Sequence, residues 1–193
     1  MKNINQFIIE KFKISSKNVK SIYKFKPKDK TELIQTIIEI CKEDKENIID
    51  LNIIDTSKIT DMSYVFCNGS IQWQLDGRNI DISDWDVSNV TDFHNCFDGY
   101  LSFDCNLSNW DVSKCYCFRA MFMNCLEFTG KGLENWDMKS ATDISHMFQE
   151  CKKLDIDLSK WDLQNCRNYK YVFTGKCNLD KSKKPKINGK TFQ

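Results

Sequence analysis

Five aspartates recur in register along the chain: Asp55, Asp86, Asp111, Asp137 and Asp162. Set side by side on stacked chain segments, their carboxylates stand about 5 Å apart and repel one another unless paired, hydrated or bound by a cation. Two chemistries fit such a column. Each Asp can accept the backbone amides of its own turn, or the five together can form an acidic strip for a basic partner, with Ca²⁺ as a further ligand to weigh. A calcium loop places its ligands at alternate positions around a central Gly, and this spacing does not match it. No metal and no other cofactor is assigned.

The remaining reactive groups are thiols and imidazoles. Cys115, Cys117 and Cys125 offer sulfur for a zinc site, but the closely spaced cysteine pairs of zinc knuckles are missing. A disulfide framework belongs to short secreted chains, whereas several of the ten cysteines here stand in columns that are otherwise apolar. Cys96 aligns with Val65, Met121, Met147 and Val172, and Cys115 and Cys166 align with Ile59, Val90 and Ala141. Buried free thiols are the expected state. Nucleophilic catalysis needs a thiol or hydroxyl beside a base and an orienting group, and the two histidines, His94 and His146, fall in different columns. A glycine-rich phosphate loop is also lacking. No catalytic residue is assigned and the protein is not expected to be an enzyme.

The aspartates are positioned by a repeat. Trp85, Trp110, Trp136 and Trp161 each precede one of them, and Phe97, Phe122, Phe148 and Phe173 follow twelve residues after each Trp. A more degenerate first copy puts Ile54 in the Trp column and Phe66 in the Phe column. Self-similarity at such a period is the mark of a solenoid. With Trp numbered zero, apolar residues at 0 and +2 alternate with polar ones at −1 and +1, which predicts a short strand. Thr and Asp at +6 and +7 (Thr60-Asp61, Thr91-Asp92, Thr142-Asp143) read as a helix start. Apolar positions at +8, +11, +12 and partly +15 then predict a two-turn helix. Stacked strands would present columns −1, +1 and +3 outward: Ile53, Asp84, Asn109, Asn135 and Lys160, then the aspartates, then Ser57, Ser88, Ser113, Lys139 and Gln164.

Six extra residues separate the first two copies, within 68–78, and carry Trp73 outside the Trp column. Trp73 is either a lid on the first copy's core or a surface anchor for a partner. Ahead of the copies, Asn3 to Lys13 has helical apolar spacing, Val19 to Phe25 is β-prone, and Asp29 with Glu32 caps a helix from about Lys30 to Asp44. A solenoid exposes its core at its ends unless atypical segments cover it, so residues 1–50 read as an N-terminal helical cap. The ends are basic, +7 over residues 1–30 and +4 over 180–193, while residues 51–179 sum to −6. Such ends either solubilise or dock on nucleic acid or another acidic surface. No apolar run approaches the roughly 20 residues of a membrane span. Phe7-Ile8-Ile9 is cut by Glu10 and Lys11 with no cleavage site following, so a signal peptide is not expected.

The recurring Leu-x-x-Trp-x-Val is similar to the leucine-rich-repeat consensus. More closely, Ile82-Ser83-Asp84-Trp85-Asp86-Val87-Ser88-Asn89-Val90-Thr91-Asp92-Phe93 and Asp61-Met62-Ser63-Tyr64-Val65-Phe66 resemble the BspA-like leucine-rich-repeat family. The likeness covers about Leu51 to Cys177, and the leader resembles that of short signal-less members from gut bacteria and their phages. Cys115-Tyr116-Cys117 and Asn165-Cys166-Arg167-Asn168 depart from the motif. The resemblance implies binding or surface roles and carries over no catalytic residue.

The resulting expectation is an α/β, leucine-rich-repeat-like solenoid of about five 25-residue strand and short-helix units over 51–178, with the helical cap over 1–50 and a basic tail over 179–193. Its expected function is protein binding through the polar face: Asp55, Asp86, Asp111, Asp137 and Asp162, with Asp84, Asn109, Asn135, Lys160 and Trp73. The anionic face disfavours nucleic acid. The alternative is a structural part of a phage or viral assembly fastened by the basic ends. The cytoplasm, or a virion for a phage-encoded chain, is the expected location.

Overall fold

The computed structural model describes residues 23–67, 71–75, 77–187 and 190–192. The expected helix at Asn3 to Lys13 and most of the β-prone run after it lie outside the described residues. What builds each copy is a series of tight turns closed between apolar residues three apart. The amide at column 0 donates to the carbonyl at −3 at 3.1 Å in every copy, from Ile54 to Leu51 through Trp161 to Leu158. Column +5 donates to +2 in the same way (Val90 to Val87, Cys115 to Val112, both 2.9 Å), +11 to +8 (Met121 to Phe118, 3.2 Å) and +15 to +12 (Cys125 to Phe122, 3.1 Å). At column +10 the backbone is left-handed, with φ of 61° at Tyr64, 53° at Asn95, 50° at Ala120, 60° at His146 and 60° at Tyr171. Asn124 and Glu150, at +14, are left-handed too. A positive φ at the third residue of a hydrogen-bonded four-residue turn is the mark of type II.

These conformations overturn the expected solenoid of strand and short-helix units. Among the described residues the α-helices are α1 (Lys30–Glu43) and α2 (Gln72–Leu75), one before the copies and the other in the insertion. Strands are two or three residues long. β1 (Ile48–Asp50) pairs in parallel with β2 (Asn79–Asp81), and β3 (Lys186–Ile187) pairs antiparallel with β4 (Lys190–Thr191). Among the described residues no strand occupies columns −1 to +2 and no α-helix occupies +7 to +15. The reason is twofold. A left-handed residue costs about 1–2 kcal/mol away from Gly and cannot sit inside an α-helix. The amides at +8, +10 and +12 are also spent between copies: Phe93, Asn95 and Phe97 donate to Cys117, Arg119 and Met121, each at 2.9 Å. Isolated parallel bridges follow the +7 column, Asp61 to Asp92 to Cys117 to Asp143 to Asn168.

Burial follows the same columns. Phe66, Phe97, Phe122, Phe148 and Phe173 stack with centroid separations of 5.2, 5.5, 5.9 and 5.7 Å, a range in which offset aromatic pairs attract beyond their area. Each Trp is buried and donates its indole N–H backward to the −3 carbonyl of the copy before: Trp85 to Leu51, Trp110 to Ile82, Trp136 to Leu107 and Trp161 to Leu133, at 2.8–3.2 Å. The indole thus joins neighbouring copies while satisfying its one donor.

The N-terminal end is closed by α1. Asp29 caps it by accepting the Glu32 amide at 3.0 Å, and Leu33, Ile37, Ile40 and Cys41 are buried in the core. Lys30 reaches the first copy, binding Asp61 at 2.6 Å and Ser63 at 2.8 Å. The C-terminal segment adds a 3₁₀ turn at Lys181–Lys183 and the β3–β4 pair, with Lys186 bridging to Asp162. No helix among the described residues is long and apolar enough to cross a membrane.

Candidate functional site

The aspartate column is first of all turn chemistry. An Asp side chain can close a turn onto the amide two residues ahead, and all five do so. Asp55 accepts from Ser57 at 3.2 Å, Asp86 from Ser88 at 3.0 Å, Asp111 from Ser113 at 3.0 Å, Asp137 from Lys139 at 3.1 Å and Asp162 from Gln164 at 3.2 Å. The Ser57 and Ser88 hydroxyls add a second bond to the same Oδ1. Hydrogen bonds from the serine hold the Asp55 and Asp111 carboxyls below the ordinary carboxylate range. These bonds all fall on Oδ1.

Around them the columns form a polar face over the second to fifth copies. Asp86, Asp111 and Asp137 are exposed, as are Asp84, Asn109, Asn135 and Lys160, while Asp55 and Asp162 are half-buried. Asn109 donates to Asp84 at 3.3 Å and links two copies across the face. Ile53, expected outward with them, is buried at 6% exposure. The chain at Lys24 and Phe25 lies over it, with the Lys24 amide on the Ile53 carbonyl at 2.9 Å.

Trp73 is the most exposed large apolar side chain described, at 71%. It stands on α2 and lines a shallow cleft of about 390 Å³ with Cys41, Lys42, Lys45, Gln74 and Arg78. No member of the aspartate column lines that cleft, so the structure does not join Trp73 to the acidic face.

Arg78 has a structural role that the sequence reading left unassigned. Its guanidinium donates to the carbonyls of Asp44 (2.7 Å), Cys41 (3.2 Å), Gln74 (2.9 Å) and Leu75 (2.9 Å), closing the C-terminal ends of α1 and α2 together. A cation among the last carbonyls of a helix also meets the negative end of its dipole. The sequence signal was a lone Arg at the end of the insertion.

A second set of turn-closing residues also went unread, at column −4. Asp81 accepts from Ser83, Asn106 from Ser108 and Asp157 from Ser159. The +7 acids behave alike: Asp61 accepts from Ser63 and Asp143 from Ser145, both at 2.8 Å. The legible signal was the recurring Asp-x-Ser.

The thiols are free and mostly buried. Burial raises Cys41, Cys105, Cys117 and Cys166 to about 11 and pushes Cys96, Cys125 and Cys151 well above the ordinary thiol value. Cys125 and Cys151 donate to the carbonyls of Phe97 (3.1 Å) and Phe122 (2.9 Å) in the preceding copy. No group of three or more metal-ligating side chains occurs among the described residues. His94 packs on Tyr64, with centroids 5.0 Å apart, and His146 pairs with Gln149 at 2.6 Å. The Tyr64 hydroxyl lies 3.5 Å from His94 Nε2.

No curated protein and no solved structure matches the chain. A family model described as "Mycoplasma protein of unknown function, DUF285" matches residues 70–185, more than half of its length. That span takes in the last four Trp-Asp turns and their exposed carboxylates, and the chain belongs to this DUF285 family.

Proposed function

We propose that the protein is a non-catalytic protein-binding module whose polar turn face, carrying Asp86, Asp111 and Asp137, receives a basic protein surface. One observation carries this reading: the three carboxylates are exposed and in register, and each closes its own turn through Oδ1, so turn closure does not itself consume Oδ2. Aligned charge of one sign steers association with a complementary surface and repels the phosphates of nucleic acid. Raised thiol pKa values work against thiolate chemistry. Kinship with BspA-like repeat proteins is part of the proposal and draws on the recurring Trp-Asp-Val-Ser motif. So is a location in the cytoplasm, or on a virion for a phage-encoded chain.

The test must separate charge from turn closure, since replacing Asp by Lys would remove both. Asp86→Asn with Asp111→Asn keeps a side-chain oxygen for the turn and removes two charges. Partners retained from a lysate of the source cell are compared between wild type, this double variant and Trp73→Ala. Loss of the same partner from the double variant, with unchanged thermal melting, is the expected result. Retention by the double variant, together with loss when Lys181 and Lys183 are neutralised, sinks the reading and moves binding to the basic end.

A further inference from the structure

The ladder between copies stops at the fifth copy with donors to spare. In the third copy the amides of Phe118, Ala120 and Phe122 donate to Asp143, Ser145 and Met147 of the next, at 2.8, 2.8 and 3.1 Å. The corresponding amides of the fifth copy, Tyr169, Tyr171 and Phe173, meet no acceptor among the described residues. Exposure agrees. Phe93, Phe118 and Ile144 share a column with Tyr169 and are fully buried, whereas Tyr169 is 42% exposed. The C-terminal segment covers the Trp side of this copy through the Asp162–Lys186 bridge. Phe192 packs its ring edge-on against Phe173 and Tyr169.

This edge carries more positive charge than its counterparts. Residues 167–176 contain Arg167, Lys170 and Lys176 and no acid, whereas the same window holds Asp92 and Asp98 in the second copy, Arg119 without an acid in the third, and Asp143 and Glu150 in the fourth. All three cations are exposed. A second copy of this chain docking head to tail is a poor fit, because the opposite end is closed by α1, with Lys30 on Asp61 and Ser63.

We propose that this edge is a docking site for an extended, acidic segment of a partner protein, which adds as the next rung. Carbonyls of the segment accept from the Tyr169, Tyr171 and Phe173 amides, as in strand addition to a sheet edge. Its own amide donates to the Arg167 carbonyl, the relation that Arg167 N has to Thr142 O at 2.9 Å. Carboxylates on its outward positions meet Arg167 and Lys170. This site is separate from the aspartate face and does not depend on it.

Amide hydrogen exchange of the whole chain tests it, with a short peptide alternating Glu and Val as probe and its Lys-Val counterpart as control. Saturating Glu-Val peptide is expected to slow exchange at Tyr169, Tyr171 and Phe173 by about tenfold or more, in the way that added pairing protects an edge. The Lys-Val peptide should not, and Arg167→Glu with Lys170→Glu should abolish the effect. Were that variant to melt lower, wild type in rising salt is the second measurement, since screening must weaken the acidic probe. Equal slowing by both peptides, no slowing by either, or insensitivity to salt overturns the proposal. So does slow exchange of the three amides in the free protein, and so does protection that grows with protein concentration without peptide, which assigns the edge to self-association.

Discussion

The two ends of the ladder are closed by different means. At the first copy an amphipathic helix lays Leu33, Ile37, Ile40 and Cys41 on the core, and Arg78 fastens its last carbonyls to those of α2. At the fifth copy the cover is a short 3₁₀ turn, a two-residue strand pair and the ring of Phe192, with Lys184 buried over the Phe173 ring at 5.2 Å. At one end a preformed helix covers the apolar surface and ties to the first copy through Lys30. At the other, side chains shield the rings but leave backbone donors of Tyr169, Tyr171 and Phe173 without described partners. Covering apolar surface and satisfying a ladder are thus separate tasks, and only the helical end combines closure of the core with a dense set of polar ties.

Changes to the shared interior should have the largest effect. Phe122 stacks on Phe97, Phe128 and Phe148, so Phe122→Ala is expected to cost about 3–5 kcal/mol in denaturant unfolding. Phe173→Ala, with one ladder neighbour and a C-terminal cover, should cost less. Equal losses would show that the ends are as tightly built as the middle.

Arg78→Ala removes a charged donor from four carbonyls and should cost about 2–3 kcal/mol, with loss of helical ellipticity as α1 loosens. Its counterpart Phe192→Ala removes two edge-on ring contacts and should cost roughly 1–2 kcal/mol. A larger loss from Phe192→Ala than from Arg78→Ala would invert the comparison.

Thiol reactivity reports the same gradient without mutation. All ten cysteines are free, and fully buried Cys96, Cys125 and Cys151 have strongly raised pKa values. They should react with a disulfide reagent only on denaturation. Cys177, 7% exposed beside the C-terminal edge, should react first among the buried set as that end opens locally. Fast labelling of Cys125 in the native protein would contradict the packing.

The smallest effect is that of pH. The carboxyls of Asp55, Asp81 and Asp111 are depressed in the fold. A depressed acid contributes stability above its unfolded value, about 3.9, and that contribution is lost as pH falls through the folded value. Thermal stability should therefore drop gently below about pH 4, and less so in Asp81→Asn. A variant with the same acid slope as wild type would remove Asp81 from the account.

Much of this architecture was legible as columns. The Trp and Phe columns, with Cys96, Cys115 and Cys166, were placed inside by the repeat, and they are inside because each copy presents the same residue to the same neighbours. The alternation around Asp86, with Trp85 and Val87 buried and Asp84 exposed, also stood in the sequence. Hydrogen-bond partners did not. Apolar residues at +8, +11, +12 and +15 satisfy a helix and two successive four-residue turns equally well, because both return the chain to one face every three or four residues. The left-handed residues at +10 are Tyr, Asn, Ala, His and Tyr, types with no common local signal for that conformation.

The same division holds for the geometry of the candidate site. Its acidic column and the exposed partners Asn109, Asn135 and Lys160 could be read from spacing alone, whereas the use of each Oδ1 on its own turn required coordinates. The sequence by itself determined that the Trp and Phe columns are buried and that copies lie in register, since periodic hydrophobicity is carried by residue type. Tertiary structure alone decided that the amides at +8, +10 and +12 pair between copies rather than within a helix. A backbone donor is the same in every residue, and where it points depends on which acceptor the packed neighbour brings within reach.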